Sequence, residues 1–89
     1  MRIETVSDFR QALRYGPWAW PGGYPIYFVT SDGEALSFEA AKAERRNIAW
    51  SIGTNQNDGW RVIASDINWE GEITCAHTGK PIEAAYDAE

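Results

Sequence analysis

One short stretch near the end of this 89-residue chain carries the side chains most capable of chemistry. Cys75 is the one cysteine and His77 the one histidine, and they stand two positions apart in CAHTGK, residues 75–80. A thiolate beside an imidazole is a nucleophilic pair, and both residue types bind zinc. On a strand the two side chains would project from the same face. The stretch therefore suggests a nucleophile, a metal site intact or degenerate, or an ordinary turn.

The rest of the sequence gives little support to an enzyme. No third member and no oxyanion hole is evident beside the Cys-His pair. Asp66, Glu70 and Glu72 could form a carboxylate pair, but acids at a surface turn are far more common. The segment PGGY, residues 21–24, lacks the spacing and the lysine of a phosphate loop. We therefore predict a protein that is not an enzyme and has no cofactor, in which Cys75 is a small buried residue.

Two helices are predicted in the part of the chain that precedes this stretch. Thr5 to Asp8 has the form of a capping box, and apolar residues at helical spacing then predict a helix over 6–15. Gly16 and Pro17 end it. A second amphipathic pattern predicts a helix over about 38–52, capped by Ser37.

Three strands complete the predicted fold. Residues 24–30 are rich in aromatic and β-branched types, and residues 60–68 alternate in polarity. Residues 72–76 follow a turn and predict a third strand, antiparallel to the second. The sequence thus predicts one α+β domain over residues 1–89, a three-stranded antiparallel sheet with two helices. The long helix is expected on one sheet face, and the first helix with the tryptophan-rich loop on the other.

The composition fits a small intracellular domain. Of all residues 44% are hydrophobic and 13% aromatic, with five tryptophans, so a core can form without disulfides. A single cysteine suits a reducing compartment. No apolar run has the length of a signal peptide core or a membrane span. We expect a cytoplasmic monomer in a bacterial cell.

The second half of the chain resembles a known class. WRVIASDINWEGEITCAHTGKPIEAAY, residues 60–86, resembles the C-terminal half of small phage and prophage proteins related to zinc ribbons, which end in a pattern like C-x-x-C-G-K-x-I-E-x-A-Y. YPIYFVTSDGEALSFEAA, residues 24–41, resembles the segment in which such proteins carry their first C-x-x-C.

This resemblance places four ligand positions at Ser37, Ala40, Cys75 and Thr78. A structural zinc needs four Cys or His ligands, and one of these positions holds such a residue. The resemblance therefore implies a degenerate ribbon without metal, in which apolar packing has replaced the ion.

The net negative charge comes entirely from the second half of the chain. Residues 1–46 hold six basic and six acidic side chains, whereas residues 47–89 hold two basic and seven acidic ones, giving a net charge of −5. Acids displayed together can occupy the basic nucleic-acid groove of another protein. The candidate binding residues are Asp58, Asp66, Glu70, Glu72, Glu83 and Asp87.

Small acidic phage proteins of this kind resemble anti-CRISPR inhibitors. The leading hypothesis is therefore a phage inhibitor whose acidic surface binds a host protein complex, such as a CRISPR effector, and blocks its DNA binding. Direct contact with nucleic acid or membrane is not expected. The alternative is an adaptor domain that recognises a protein partner through PWAWPGGYP, residues 17–25, in which Trp18 and Trp20 are either interface anchors or core residues.

Overall fold

The computed structural model describes residues 2–16, 18–19, 24–56, 59–68 and 73–82. Its helices are α1 (Val6–Tyr15), α2 (Phe38–Ala43) and α3 (Arg45–Gly53). Its strands are β1 (Trp18–Ala19), β2 (Tyr24–Thr30), β3 (Ala35–Ser37) and β4 (Val62–Ile67). Strand β2 lies between β3 and β4 in an antiparallel sheet, and β1 pairs with the start of β2. The predicted α+β class is confirmed.

Helix α1 begins where the sequence places it. The Thr5 hydroxyl accepts a hydrogen bond from the Asp8 backbone N–H at 3.1 Å, and the Asp8 carboxylate accepts one from the Thr5 N–H at 3.2 Å. This reciprocal capping box satisfies donors that a helix start leaves unpaired. The helix ends before Gly16, whose φ of 89° suits glycine.

The long helix predicted over 38–52 is two helices. The Ser37 hydroxyl caps the first by accepting from the Ala40 N–H at 3.1 Å. Glu44, with φ −103° and ψ 24°, separates α2 from α3. Buried residues lie on both sides of this break, including Phe38 in α2 and Ile48 in α3.

The prediction that residues 72–76 form the third strand is wrong for the residues described. That place belongs to β3, where Phe28 pairs with Leu36. The chain reverses after Thr30, whose N–H donates to the Glu34 carbonyl at 2.9 Å, so β2 and β3 form a tight hairpin. Within the described residues 73–76, the backbone forms one isolated β-bridge, between Thr74 and Pro81, and this does not make a strand.

The core is centred on Phe28, which is fully buried. The Phe9 ring of α1 meets it edge to face at 5.5 Å, and the Phe38 ring of α2 stacks against it at 6.1 Å. Both helices therefore cover the same sheet face, because one side chain of a strand points to one face. The expectation that the first helix covers the opposite face is wrong.

Candidate functional site

Residues 73–82 form a tight turn with Cys75 at its base. The Cys75 N–H donates to the Lys80 carbonyl at 2.9 Å, and the Gly79 N–H returns to the Cys75 carbonyl at 2.9 Å. Below them, the Ile82 N–H donates to the Ile73 carbonyl at 2.7 Å. Gly79 has φ 74°, a left-handed conformation that other residues adopt at a cost. The Thr-Gly-Lys sequence thus closes the turn around the cysteine.

The four ligand positions implied by the resemblance lie together. The Ser37 N–H donates to the Cys75 sulfur at 3.4 Å, and the Ala40 N–H donates to the Ser37 hydroxyl at 3.1 Å. The Cys75 sulfur also accepts hydrogen bonds from Thr78, through both its hydroxyl and its backbone N–H. Two turns with the same three-residue spacing therefore face each other, one at the start of α2 and one at the tip of 73–82.

These residues do not fit a zinc ion. Cys75 is the one thiolate of the four, and a serine, an alanine and a threonine hold the other positions. Across the described ranges, no cluster of three or more Cys, His, Asp or Glu residues could hold a metal. Ala40 is 4% exposed and belongs to the hydrophobic core, so packing occupies the space near that position.

The environment of Cys75 favours its thiolate. Burial by itself raises the pKa of the thiol, but hydrogen bonds from the Ser37 N–H, from Thr78 and from the His77 N–H outweigh it. Together they lower the pKa of Cys75 from 9.0 to about 6. Donors aimed at a sulfur stabilise its anion, because each replaces part of the hydration that burial removes.

The imidazole of His77 contacts Trp60 and Glu44. Residues 76–78 lie in a turn, so the strand geometry expected to place Cys75 and His77 on one face is wrong. The His77 ring lies 5.3 Å from the Trp60 ring, and its Nε2 lies 3.5 Å from a Glu44 carboxylate oxygen. Cys75 is 1% exposed, which denies a substrate access to the sulfur. This geometry makes Cys75 an organising group of the fold.

The low pKa of Cys75 predicts a stability that rises with pH. An unfolded thiol has a pKa of about 8.5, so between pH 6 and 8 the folded state has lost a proton that the unfolded state keeps. The free energy of unfolding should therefore increase by about 2 kcal/mol from pH 6 to pH 8. Urea titrations at a series of pH values measure this increase.

Cys75→Ala supplies the control for that pH dependence. The variant keeps all other titratable groups, so its curve should lack the increase assigned to the thiolate. An equal rise in the two proteins would contradict the assignment.

One residue of the expected acidic surface is described. Asp66 is exposed on β4 and pairs across the sheet with Tyr27, on the face opposite Phe28. Burial, and then the charge of Asp66, raise the pKa of Tyr27. The other predicted acids lie outside the described residues: Asp58, Glu70, Glu72, Glu83 and Asp87. The described ranges hold eight basic and seven acidic residues, so the excess of acids falls outside them.

The Trp18 side chain, 42% exposed, lines a groove in the described structure. The groove measures about 250 Å³, and its walls include Ile26 of β2, Phe38 of α2 and Ile82. Glu39, an exposed acid of α2, lies at its edge. We call this the Trp18 groove. Trp20, predicted as the second anchor, lies outside the described residues.

Sequence reasoning missed a second groove, between α1 and α3. Arg10, Arg45 and Arg46 line it, although they are 35 or more positions apart along the chain between the two helices. The sequence shows that each of these helices carries arginines, but the three side chains come together only because α1 contacts α3 in the fold.

No family model matches this chain, and no curated protein or solved structure shows significant similarity to it. Among the described residues no helix has the length and apolar character needed to cross a membrane.

Proposed function

We propose that this chain is a non-enzymatic binding domain that recognises a protein partner through the Trp18 groove. The observation that carries the proposal is an exposed tryptophan beside a groove whose apolar walls include Ile26 of β2 and Phe38 of α2. Tryptophan is among the residues that contribute most to binding when a partner buries them. Ile26 and Phe38 come from a strand and a helix, so the walls of the groove are set before a partner arrives.

The chemistry of the groove suggests what it would accept. Its volume of about 250 Å³ has room for a large apolar side chain. The Glu39 carboxylate at the edge would favour a neighbouring lysine, arginine or backbone N–H on that partner. The proposed ligand is therefore a protein segment that combines an apolar anchor with a positive or amide group.

A second candidate is the anti-CRISPR-like inhibitor with an acidic surface. It is supported by the net charge of −5, all of it in residues 47–89, and by the exposed Asp66. Its other support is the resemblance of residues 60–86 to small phage proteins. On this proposal the acids bind a host effector where DNA would otherwise enter.

The Trp18 proposal predicts a salt-tolerant interaction that Trp18→Ala abolishes. Binding to a partner captured from bacterial lysate and then purified should weaken by tenfold or more, because truncating an anchor removes both buried area and shape. Trp50→Ala is the matched control, since Trp50 is 59% exposed on α3 and lines no part of this groove. Calorimetry at about 50 and 500 mM salt gives both affinities. Equal losses in the two variants would count against the groove.

The inhibitor proposal predicts the opposite pattern. Binding to a purified CRISPR effector should weaken strongly between the two salt concentrations, and Glu70→Lys with Glu72→Lys should weaken it further. A DNA-competition assay measures the outcome that matters. Undiminished DNA binding at a saturating concentration of this protein would refute the acidic mechanism.

A further inference from the structure

The groove between α1 and α3 has an arginine rim and an apolar floor. The two helices run antiparallel: a β-carbon built on Gly53, at the end of α3, would lie 3.5 Å from Val6 at the start of α1. At the opposite end of the pair the helices leave a groove of about 250 Å³. We call it the arginine groove, and the residues that matter to it are Arg10, Leu13, Arg45, Arg46 and Ala49.

The arginines of this groove have no carboxylate partner among the described residues. The ion pairs Arg2 with Glu4 and His77 with Glu44 involve none of the three arginines. The Arg45 guanidinium donates to the Lys42 carbonyl at 3.0 Å, a neutral acceptor. The nearby Glu44 carboxylate is occupied, since it accepts from the Asn47 amide at 2.8 Å and contacts His77.

The helix position of Arg46 is unfavourable for the isolated fold. Arg45 and Arg46 lie in the first turn of α3, which contains no acidic residue. The helix dipole disfavours cations at that end, and like charges close together repel. Arg45 contributes to the fold through its bond to a carbonyl in the last turn of α2, but the dipole and repulsion costs at Arg46 are ones that an anionic partner would offset.

The floor of the groove narrows the choice of partner. Leu13 and Ala49 are half-buried aliphatic residues, and Phe9 closes the bottom. Single-stranded nucleic acid prefers exposed aromatic platforms inside a positive groove, and the net charge of −5 repels a polyanion at long range. A carboxylate-bearing peptide with one apolar side chain satisfies both the rim and the floor, because arginine pairs with carboxylates through two parallel hydrogen bonds.

We propose that the arginine groove binds a segment of a partner protein in which one leucine- or phenylalanine-sized side chain is flanked by aspartate or glutamate. The side chain fills the space over Leu13 and Ala49, and the carboxylates pair with Arg10, Arg45 and Arg46. This surface shares no lining residue with the Trp18 groove within the described ranges, so it adds a second interface to the proposed function.

The test uses the full chain and three labelled probes. The first is a 14-residue glycine-serine peptide with one central leucine flanked by two glutamates on each side, the second replaces every glutamate with lysine, and the third is a thymidine oligonucleotide of similar length. Fluorescence anisotropy at about 50 mM salt should show saturable binding of the glutamate peptide alone. Raising the salt to about 300 mM should weaken it severalfold.

Variants locate the contact. Arg10→Glu with Arg46→Glu should weaken binding of the glutamate peptide by tenfold or more, while Lys80→Glu, a charge reversal on the exposed turn, should change it less than twofold. Circular dichroism verifies that each variant is folded. Stronger binding of the oligonucleotide, no binding of the glutamate peptide up to about 1 mM, or equal losses in all variants would each overturn the proposal. So would salt-sensitive self-association lost in the double variant, because the occupant would then be a second copy.

Discussion

Phe28→Ala is expected to lower the free energy of unfolding by about 4 kcal/mol. The side chain is fully buried and contacts Phe9 from α1 and Phe38 from α2. Its removal costs the transfer free energy of the ring, and it leaves a cavity between two helices and the sheet. A domain of this size has a total stability of about 4 to 13 kcal/mol. The variant should therefore be largely or partly unfolded at 37 °C, as measured by urea titration followed by circular dichroism.

Val29→Ala is the matched control for that result. Val29 is the next residue of β2 and points to the opposite sheet face, where it is half-exposed. The Val29→Ala substitution should lower the free energy of unfolding by less than about 1.5 kcal/mol. Similar losses for Phe28→Ala and Val29→Ala would show that the two sheet faces contribute alike, contrary to a core on one face.

Local signals predicted the parts of the fold that depend on a few consecutive residues. The capping box at Thr5 and Asp8 places the start of α1, and the aromatic and β-branched run places β2 at the bounds the structure has. Each depends on hydrogen bonds or side-chain types within one short segment. Such elements can be predicted without knowing what packs against them.

Elements that depend on distant contacts were not predictable in the same way. Strand β3 has three residues, and its last, Ser37, also caps α2, so the helix signal concealed the strand. Residues 72–76 have strand character in sequence, but the turn closed by Gly79 directs Cys75 against Ser37 instead. The placement of α1 on the same face as α2 likewise depends on Phe28, which both helices contact.

The same limit applies to the candidate site. Sequence spacing identified the positions Ser37, Ala40, Cys75 and Thr78 through a resemblance, and the structure brings the two turns together. Sequence alone gave no sign that the Thr78 hydroxyl donates to the sulfur. These hydrogen bonds stabilise the Cys75 thiolate without a metal ion, because donors aimed at the sulfur favour its anion. Cys75 then joins β3 to the turn over a sequence separation of 38 residues.

Ser37→Cys, Ala40→Cys and Thr78→Cys together are expected to create a zinc site with Cys75. All four positions belong to facing turns with i, i+3 spacing, which is the spacing that presents two sulfurs of one segment to one ion. The loss of the Ser37 cap costs about 1 kcal/mol, but zinc at a thousandfold excess over its Kd contributes about 4 kcal/mol. The melting temperature should rise by about 20 °C on adding zinc, and metal analysis should find one ion per chain.

The quadruple variant that also carries Cys75→Ser separates this site from adventitious binding. It keeps three introduced thiols but lacks the one that the Ser37 N–H already holds in place. Its zinc affinity should fall by tenfold or more, because three ligands leave the tetrahedron open to solvent. Zinc retention equal to that of the triple variant, or a triple variant that retains none after dialysis, would show that the two turns do not meet at zinc–sulfur distances of about 2.3 Å. Retention in the triple variant alone would show that the two facing turns can hold four ligands in the geometry of a zinc cage.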